Sequence, residues 1–96
     1  MTYTLAPHVT AEMLEKEGFV ENANGPDVPI VIDEEGQWCA VKVIKNVYVE
    51  INHIHYGDSW KTWIECSKKK DRKFYPTYLK PYIQDLISKG YVIENG

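Results

Sequence analysis

The chain is poor in the residues that staple or break a fold. It holds two Cys, five Pro and six Gly among 96 residues. Cys39 and Cys66 stand far apart and outside any CxxC context; two cysteines could form one bridge, but a disulfide scaffold usually needs more, in a secreted context. Both are expected to be free thiols in apolar strands. No apolar run comes near the ~18 residues of a membrane-crossing helix. Met1–Thr10 lacks the basic flank and apolar stretch of a signal peptide, so the expected compartment is cytoplasmic. There are no internal repeats and no low-complexity segment. GxSxG, P-loop and GxGxxG patterns are all missing.

Charge of one sign is also scarce where it would matter. The net charge is −3, from 11 bases and 14 acids. That is not the basic balance of a dedicated nucleic-acid binder, and hydrophobic residues are too many for disorder. The distribution is uneven. Residues 1–37 hold one base and eight acids, a sum of −7, and residues 38–96 hold ten bases and six acids, a sum of +4. What the chain has in plenty is aromatic side chains: three Trp, seven Tyr and two Phe. Its length suits one domain with one core.

The first helix is well marked. Thr10 is an N-cap, Glu12 complements the dipole, and Val9 with Leu14 makes a hydrophobic staple. Gly18 is a left-handed C-cap, and Phe19 folds back on the helix. The helix is expected over about 11–17, with Met13 and Leu14 inward. Residues 22–26 read as a loop. Val28-Pro29-Ile30-Val31-Ile32 reads as an edge strand, since Pro29 cannot donate to a ladder. Asp33-Glu34-Glu35-Gly36 is a turn. Strands follow at Cys39–Ile44, Val47–Ile54 and Trp60–Ser67, with short connections that demand an antiparallel meander.

Turn lengths set the registers. A three-residue loop Ile44-Lys45-Asn46 pairs Val43 with Val47, Val41 with Val49 and Cys39 with Ile51. A loop over Tyr56–Ser59 pairs His55 with Trp60, His53 with Thr62, Ile51 with Ile64 and Val49 with Cys66. One face is then an uncharged core. A slip of one residue would set Val41 and Val43 beside Glu50 and Tyr48 instead. The preferred register puts Trp38, Asn52 and Trp63 in one row of the second face, and a left-handed Gly36 adds Ile32. Neighbouring rows there carry Ile30, Ala40, Glu50 and Glu65, then Lys42, Tyr48 and Ser67.

Pro81 belongs in the first turn of a second helix. Leu79, Ile83, Leu86 and Ile87 form its apolar stripe, and Gly90 ends it. Tyr91-Val92-Ile93 suits a last short strand. The expected fold class is α+β, in the order α-β-β-β-β-α, with a four-stranded antiparallel meander, a short N-terminal and a longer C-terminal helix. Two helices and two apolar sheet faces also allow α/β/α layers.

Three constellations bear on function. His53-Ile54-His55 projects two imidazoles from one side of a strand, but a metal needs a third ligand. Cys39 and Cys66 lie a row or more deeper, and Trp60 and Thr62 are nearer. The expectation is no metal and no cofactor, with two half-buried histidines, one of them stacked on Trp60. The run Lys68, Lys69, Lys70, Asp71, Arg72, Lys73, with Tyr75 nearby, is the second. Its charges suit phosphates and its aromatics suit bases, although such runs are more often solvated loops. The third is the aromatic row of Trp38 and Trp63 with Tyr48 close by. Trp and Tyr on a nominally solvent face call for a covering helix or a partner.

Catalysis is not expected. The thiols sit in apolar strands, the carboxylates cluster in turns and on the first helix, and the chain is short for a ligand pocket. The leading expectation is a non-enzymatic protein-binding module using Trp38, Tyr48 and Trp63 with the acidic turn residues Glu34 and Glu35. The alternative is nucleic-acid binding through Lys68, Lys69, Lys70, Arg72, Lys73 and Tyr75. The layout resembles small uncharacterised proteins of phages, prophages and mobile elements: a capped helix ending Glu17-Gly18-Phe19, a Trp- and Tyr-rich meander, and a helix ending Lys89-Gly90-Tyr91-Val92. That resemblance implies an accessory protein, sometimes an inhibitor, whose partner is a host or phage protein. The oligomeric state is open. The Pro29 edge or the C-terminal strand offers pairing between chains.

Overall fold

A computed structural model describes residues 2–22, 28–68 and 79–95. Thr10 starts helix α1 (Ala11–Lys16), its hydroxyl accepting the Met13 N–H at 3.3 Å. Ala11 and Leu14 are buried, while Met13 is half-buried. The helix stops because Gly18 turns left-handed, with φ +96°. The Gly18 N–H then reaches Glu15 O and the Phe19 N–H reaches Leu14 O, both at 3.0 Å. These two bonds satisfy carbonyls the helix would otherwise orphan, and they press Phe19 against Leu14. Helix α2 (Lys80–Ser88) has Pro81 in its first turn, buries Ile83 and Leu86, and ends by the same device. Gly90 bonds to Ile87 O and Tyr91 to Leu86 O. Lys89 pairs with Glu17, joining the C-terminal ends of the two helices.

The main sheet runs β2 (Val20–Glu21), β3 (Trp38–Ile44), β4 (Val47–Tyr56), β5 (Ser59–Lys68), all antiparallel. The β4–β5 register is the expected one: His55 faces Trp60, Ile51 faces Ile64 and Val49 faces Cys66. The β3–β4 register is not. Lys45 (φ 50°) and Asn46 (φ 66°) both adopt left-handed backbone, so they make a two-residue hairpin turn whose twist matches the strands. Ile44 pairs with Val47, Val43 with Tyr48 and Val41 with Glu50, one residue away from the expected partners. Every β3 side chain therefore changes face.

The slip is tolerated because Lys42 does not leave a bare charge in the core. Its aliphatic stem lies against Gly18, and its ammonium donates to Glu17 O at 2.7 Å, at the negative end of α1. In exchange, Trp38 and Ala40 are buried. They join Val49, Ile51, Ile64 and Cys66 against Leu14, Phe19, Ile83 and Leu86 in one core.

The edge of the sheet also differs from expectation. Val28–Ile32 forms no ladder, and Val20–Glu21 takes the edge beside Val41 and Ala40. The 28–32 segment hangs on β2 by two bonds, Glu21 N–H to Val28 O (2.9 Å) and Val31 N–H to the Glu21 carboxylate (2.8 Å). Ile30 is buried there, but Val31 and Ile32 are exposed, so Ile32 joins no cross-strand row.

A second, two-stranded sheet pairs β1 (Thr2–Leu5) with β6 (Val92–Asn95). β6 is the expected last strand moved by a residue, and β1 was not expected. The element order is β-α-β-β-β-β-α-β, an α+β arrangement. Both helices and the small sheet pack on the Ala40/Val49/Ile51 face. Among the described elements the protein has two layers, which corrects the helix–sheet–helix alternative.

Candidate functional site

The register decides which side chains share the outer face of the main sheet. These are Cys39, Val41 and Val43 from β3, the even-numbered β4 residues from Tyr48 to Tyr56, and Lys61, Trp63, Glu65 and Ser67 from β5. No described helix or strand covers this face. Val43 and Tyr56 are exposed, and Val41, Tyr48 and Trp63 are half-buried.

At its centre Glu50 and Glu65 lie directly opposite each other. Two carboxylates at such a position repel unless they share a proton or meet a cation. Burial, and then the hydrogen bond with Glu50, push the Glu65 carboxyl above its ordinary value. Trp63 Nε1 donates to Glu65 at 3.2 Å, and Asn22 Nδ2 donates to Glu50 at 3.1 Å. Lys61 holds its ammonium 5.7 Å from the Trp63 ring centre, a cation–π distance. Tyr56 packs on the same ring at 6.4 Å. Asn52 is buried between the rows, and its Nδ2 has no protein partner among the described residues. The Cys39 thiol is raised by burial and by the surrounding carboxylates, first among them Glu21, so it stays protonated and a weak nucleophile at neutral pH.

A second cluster sits on the core side, at the rim. Trp38, His53, Trp60 and His55 form a run of rings. Centroids are 5.6 Å apart for Trp38–His53, 4.5 Å for His53–Trp60 and 4.8 Å for Trp60–His55. The His53 and Trp60 planes are only 6° apart. His53 Nδ1 lies 2.7 Å from the Thr62 hydroxyl, and burial lowers its pKa, so the ring is neutral at pH 7. The Asp33–Gln37 turn closes over this run. The Asp33 carboxylate accepts the Gln37 side-chain amide and the backbone N–H groups of Gln37 and Glu35, which hold its pKa down. Gln37 Oε1 accepts the His55 N–H at 3.0 Å, tying the turn to β4. Glu35 reaches within 3.8 Å of His55 Nδ1. Beside the run lies a cavity of about 160 Å³, lined by Leu5–Pro7, Val9, Trp38, His53 and Thr62.

The expected site residues separate accordingly. Tyr48 and Trp63 do share the outer face. Trp38 does not: it is 7% exposed and stacked on His53, so the expected row of Ile32, Trp38, Asn52 and Trp63 is broken by the β3 slip. Glu34 and Glu35 are exposed on the turn that caps the ring run, away from Trp63. Lys68 ends β5, and its side chain lies outside the described residues, as do Lys69, Lys70, Arg72, Lys73 and Tyr75. His53 and His55 face one way as expected, with Trp60 and Thr62 as neighbours. Among the described residues no group of three His, Cys, Asp or Glu is placed to hold a metal ion.

The Glu50–Glu65 pair did not emerge as a site from the sequence. Its signal was present, since the β4–β5 register alone sets the two carboxylates opposite each other. What the arrangement offers chemically is recognition: an aromatic platform beside paired carboxylates, suited to a cationic side chain flanked by apolar groups. No protein-family model, no curated protein and no solved structure matches the chain.

Proposed function

We propose that the protein is a non-enzymatic protein-binding module that docks a partner on the outer face of its main sheet. One observation carries this reading: Trp63, Tyr48, Val41 and Val43 flank the Glu50–Glu65 pair on a face that no described element covers. The complementary partner surface is a protein segment with an Arg or Lys between apolar residues. Its charge would relieve the opposed carboxylates, and an Arg plane would also stack on Trp63. Trp and Tyr supply contact area at low entropic cost, which suits them to the centre of an interface. Such a module acts by occupancy, as an accessory or inhibitor protein would, with a host or phage protein as its partner.

The test compares the protein with a Tyr48→Ala/Trp63→Ala variant as baits for lysate proteins, followed by titration of the captured protein. A partner held by the protein, lost with the variant and weakened by Glu50→Gln supports the proposal. A partner held equally by both baits overturns it. Salt-dependent binding to DNA or RNA, unchanged in the variant, would move the function to the basic segment.

A further inference from the structure

The cavity at the rim lies between two walls that are anchored independently. One is the turn that follows β1. Leu5 pairs with Val92 in the small sheet, and the Ala6 N–H donates to Tyr91 O at 2.8 Å. Ala6 O accepts the Val9 N–H at 3.1 Å, and Thr10 then caps α1, so the turn is held at both ends. The other wall is the core side of the main sheet, where Trp38, His53 and Thr62 form one cross-strand row. His53 is stacked on Trp38 and on Trp60, so a further molecule meets the imidazole at its edge. Nδ1 is engaged by the Thr62 hydroxyl, which leaves Nε2. In either tautomer the His53–Thr62 pair keeps one donor and one acceptor beyond its own bond.

We propose that this cavity binds a small neutral molecule, a single aromatic ring carrying one hydrogen-bonding group such as a hydroxyl. Size, charge and wall chemistry select that class. The volume of about 160 Å³ suits one six-membered ring, since an apolar cavity of about 150 Å³ takes up benzene. No Asp, Glu, Lys or Arg lines the cavity, and burial keeps His53 neutral at pH 7. An ionic ligand would lose its water and meet no opposite charge. Leu5, Ala6 and Val9 form an apolar wall, and the Trp38 ring offers an aromatic contact. His53 and Thr62 supply the few polar groups that orient a ligand in such a site. Both walls are already in place, so binding orders little of the protein. The cavity is on the opposite side of the sheet from Tyr48 and Trp63, shares no residue with the docking face and stands apart from that reading.

NMR titration of the isotope-labelled protein at pH 7 tests the proposal, with phenol as the probe and toluene and benzoate beside it. The expected result is saturable phenol shifts centred on Ala6, Val9, Trp38, His53 and Thr62, with Tyr48 and Glu50 unmoved. Benzoate, the same ring with a carboxylate, should bind at least about tenfold more weakly. Thr62→Val keeps a β-branched strand residue and removes the hydroxyl. It should weaken phenol by about three- to tenfold and leave toluene unchanged. Ala6→Leu, which fills the cavity, should abolish the binding of both, and the amide spectrum reports the fold of each variant. Phenol shifts that do not saturate, or that fall elsewhere, mean that the cavity holds water only and overturn the proposal. So does phenol binding that a folded T62V leaves unchanged, or benzoate binding as tight as that of phenol.

Discussion

Glu65→Gln is a mutation of a half-buried polar residue that should stabilise the protein. Glu50 and Glu65 face each other across two strands, and Glu65 is held protonated to higher pH than usual by burial and by its bond to Glu50. Gln keeps the acceptor for Trp63 Nε1 and supplies a permanent N–H for Glu50, so no hydrogen bond is lost. What disappears is one like-charge cross-strand pair, which costs about 0.2–1 kcal/mol. The site is partly solvated, so the gain should fall in the middle of that range, about 0.5 kcal/mol at pH 7. For a domain of this size that raises Tm by about 2–4 °C. The sign with pH follows from the raised folded-state pKa. Glu65 contributes stability that is fully present below its unfolded-state pKa and is lost as pH rises through the folded one. The benefit of Gln should therefore be absent in acid, where Glu65 is protonated, and should grow to a plateau near neutrality. Urea unfolding of both proteins at several pH values between 4 and 8 (about the carboxyl range and above) measures it. Destabilisation at pH 7, or a difference that does not change with pH, would refute the reasoning.

Further outcomes follow from the same geometry. His53 should titrate below the ordinary histidine range in an NMR pH series, and Trp60→Ala should move it back up, because removing the stacked ring readmits water. Its lowered folded-state pKa means that the stability it contributes is present at neutral pH and is lost as pH falls through the histidine range. Gly18→Ala should destabilise by about 1–2 kcal/mol in denaturant unfolding, since the left-handed backbone and the Lys42 stem 3.2 Å from a new Cβ both oppose it. Leu14→Ala, at a fully buried position, should cost about 2–5 kcal/mol. With iodoacetamide at neutral pH, Cys39 should react slowly and Cys66 only when the protein opens, read by mass spectrometry over time.

The outer face and the rim cluster differ in what they can contribute. In the rim run Trp38 is buried and stacked on His53, while Trp60, stacked on both histidines, keeps 45% of its surface exposed. Trp63 and Tyr48 retain surface for a partner, and the carboxylates beside them give that surface a preferred charge. Two tryptophans that looked equivalent in the sequence, Trp38 and Trp63, thus belong to different parts of the protein.

Local chemistry in the sequence determined the helix ends, because capping needs only neighbours. Thr10, Gly18 and Gly90 act within a few residues of themselves, and the structure has each where expected. The β4–β5 hairpin was legible for the same reason, its register following from one short turn. The tertiary structure decided the rest. Two turns of different length fit Ile44–Val47, and choosing between them required Lys42 to find the C-terminal carbonyl of α1, whose position no local pattern encodes. That choice turned Trp38 inward and left Trp63 outside. Likewise Thr2–Leu5 is a strand only because Val92–Asn95 returns to pair with it. Val28–Ile32 has strand composition but forms no ladder, because Val20–Glu21 holds the edge of β3 that it would have needed.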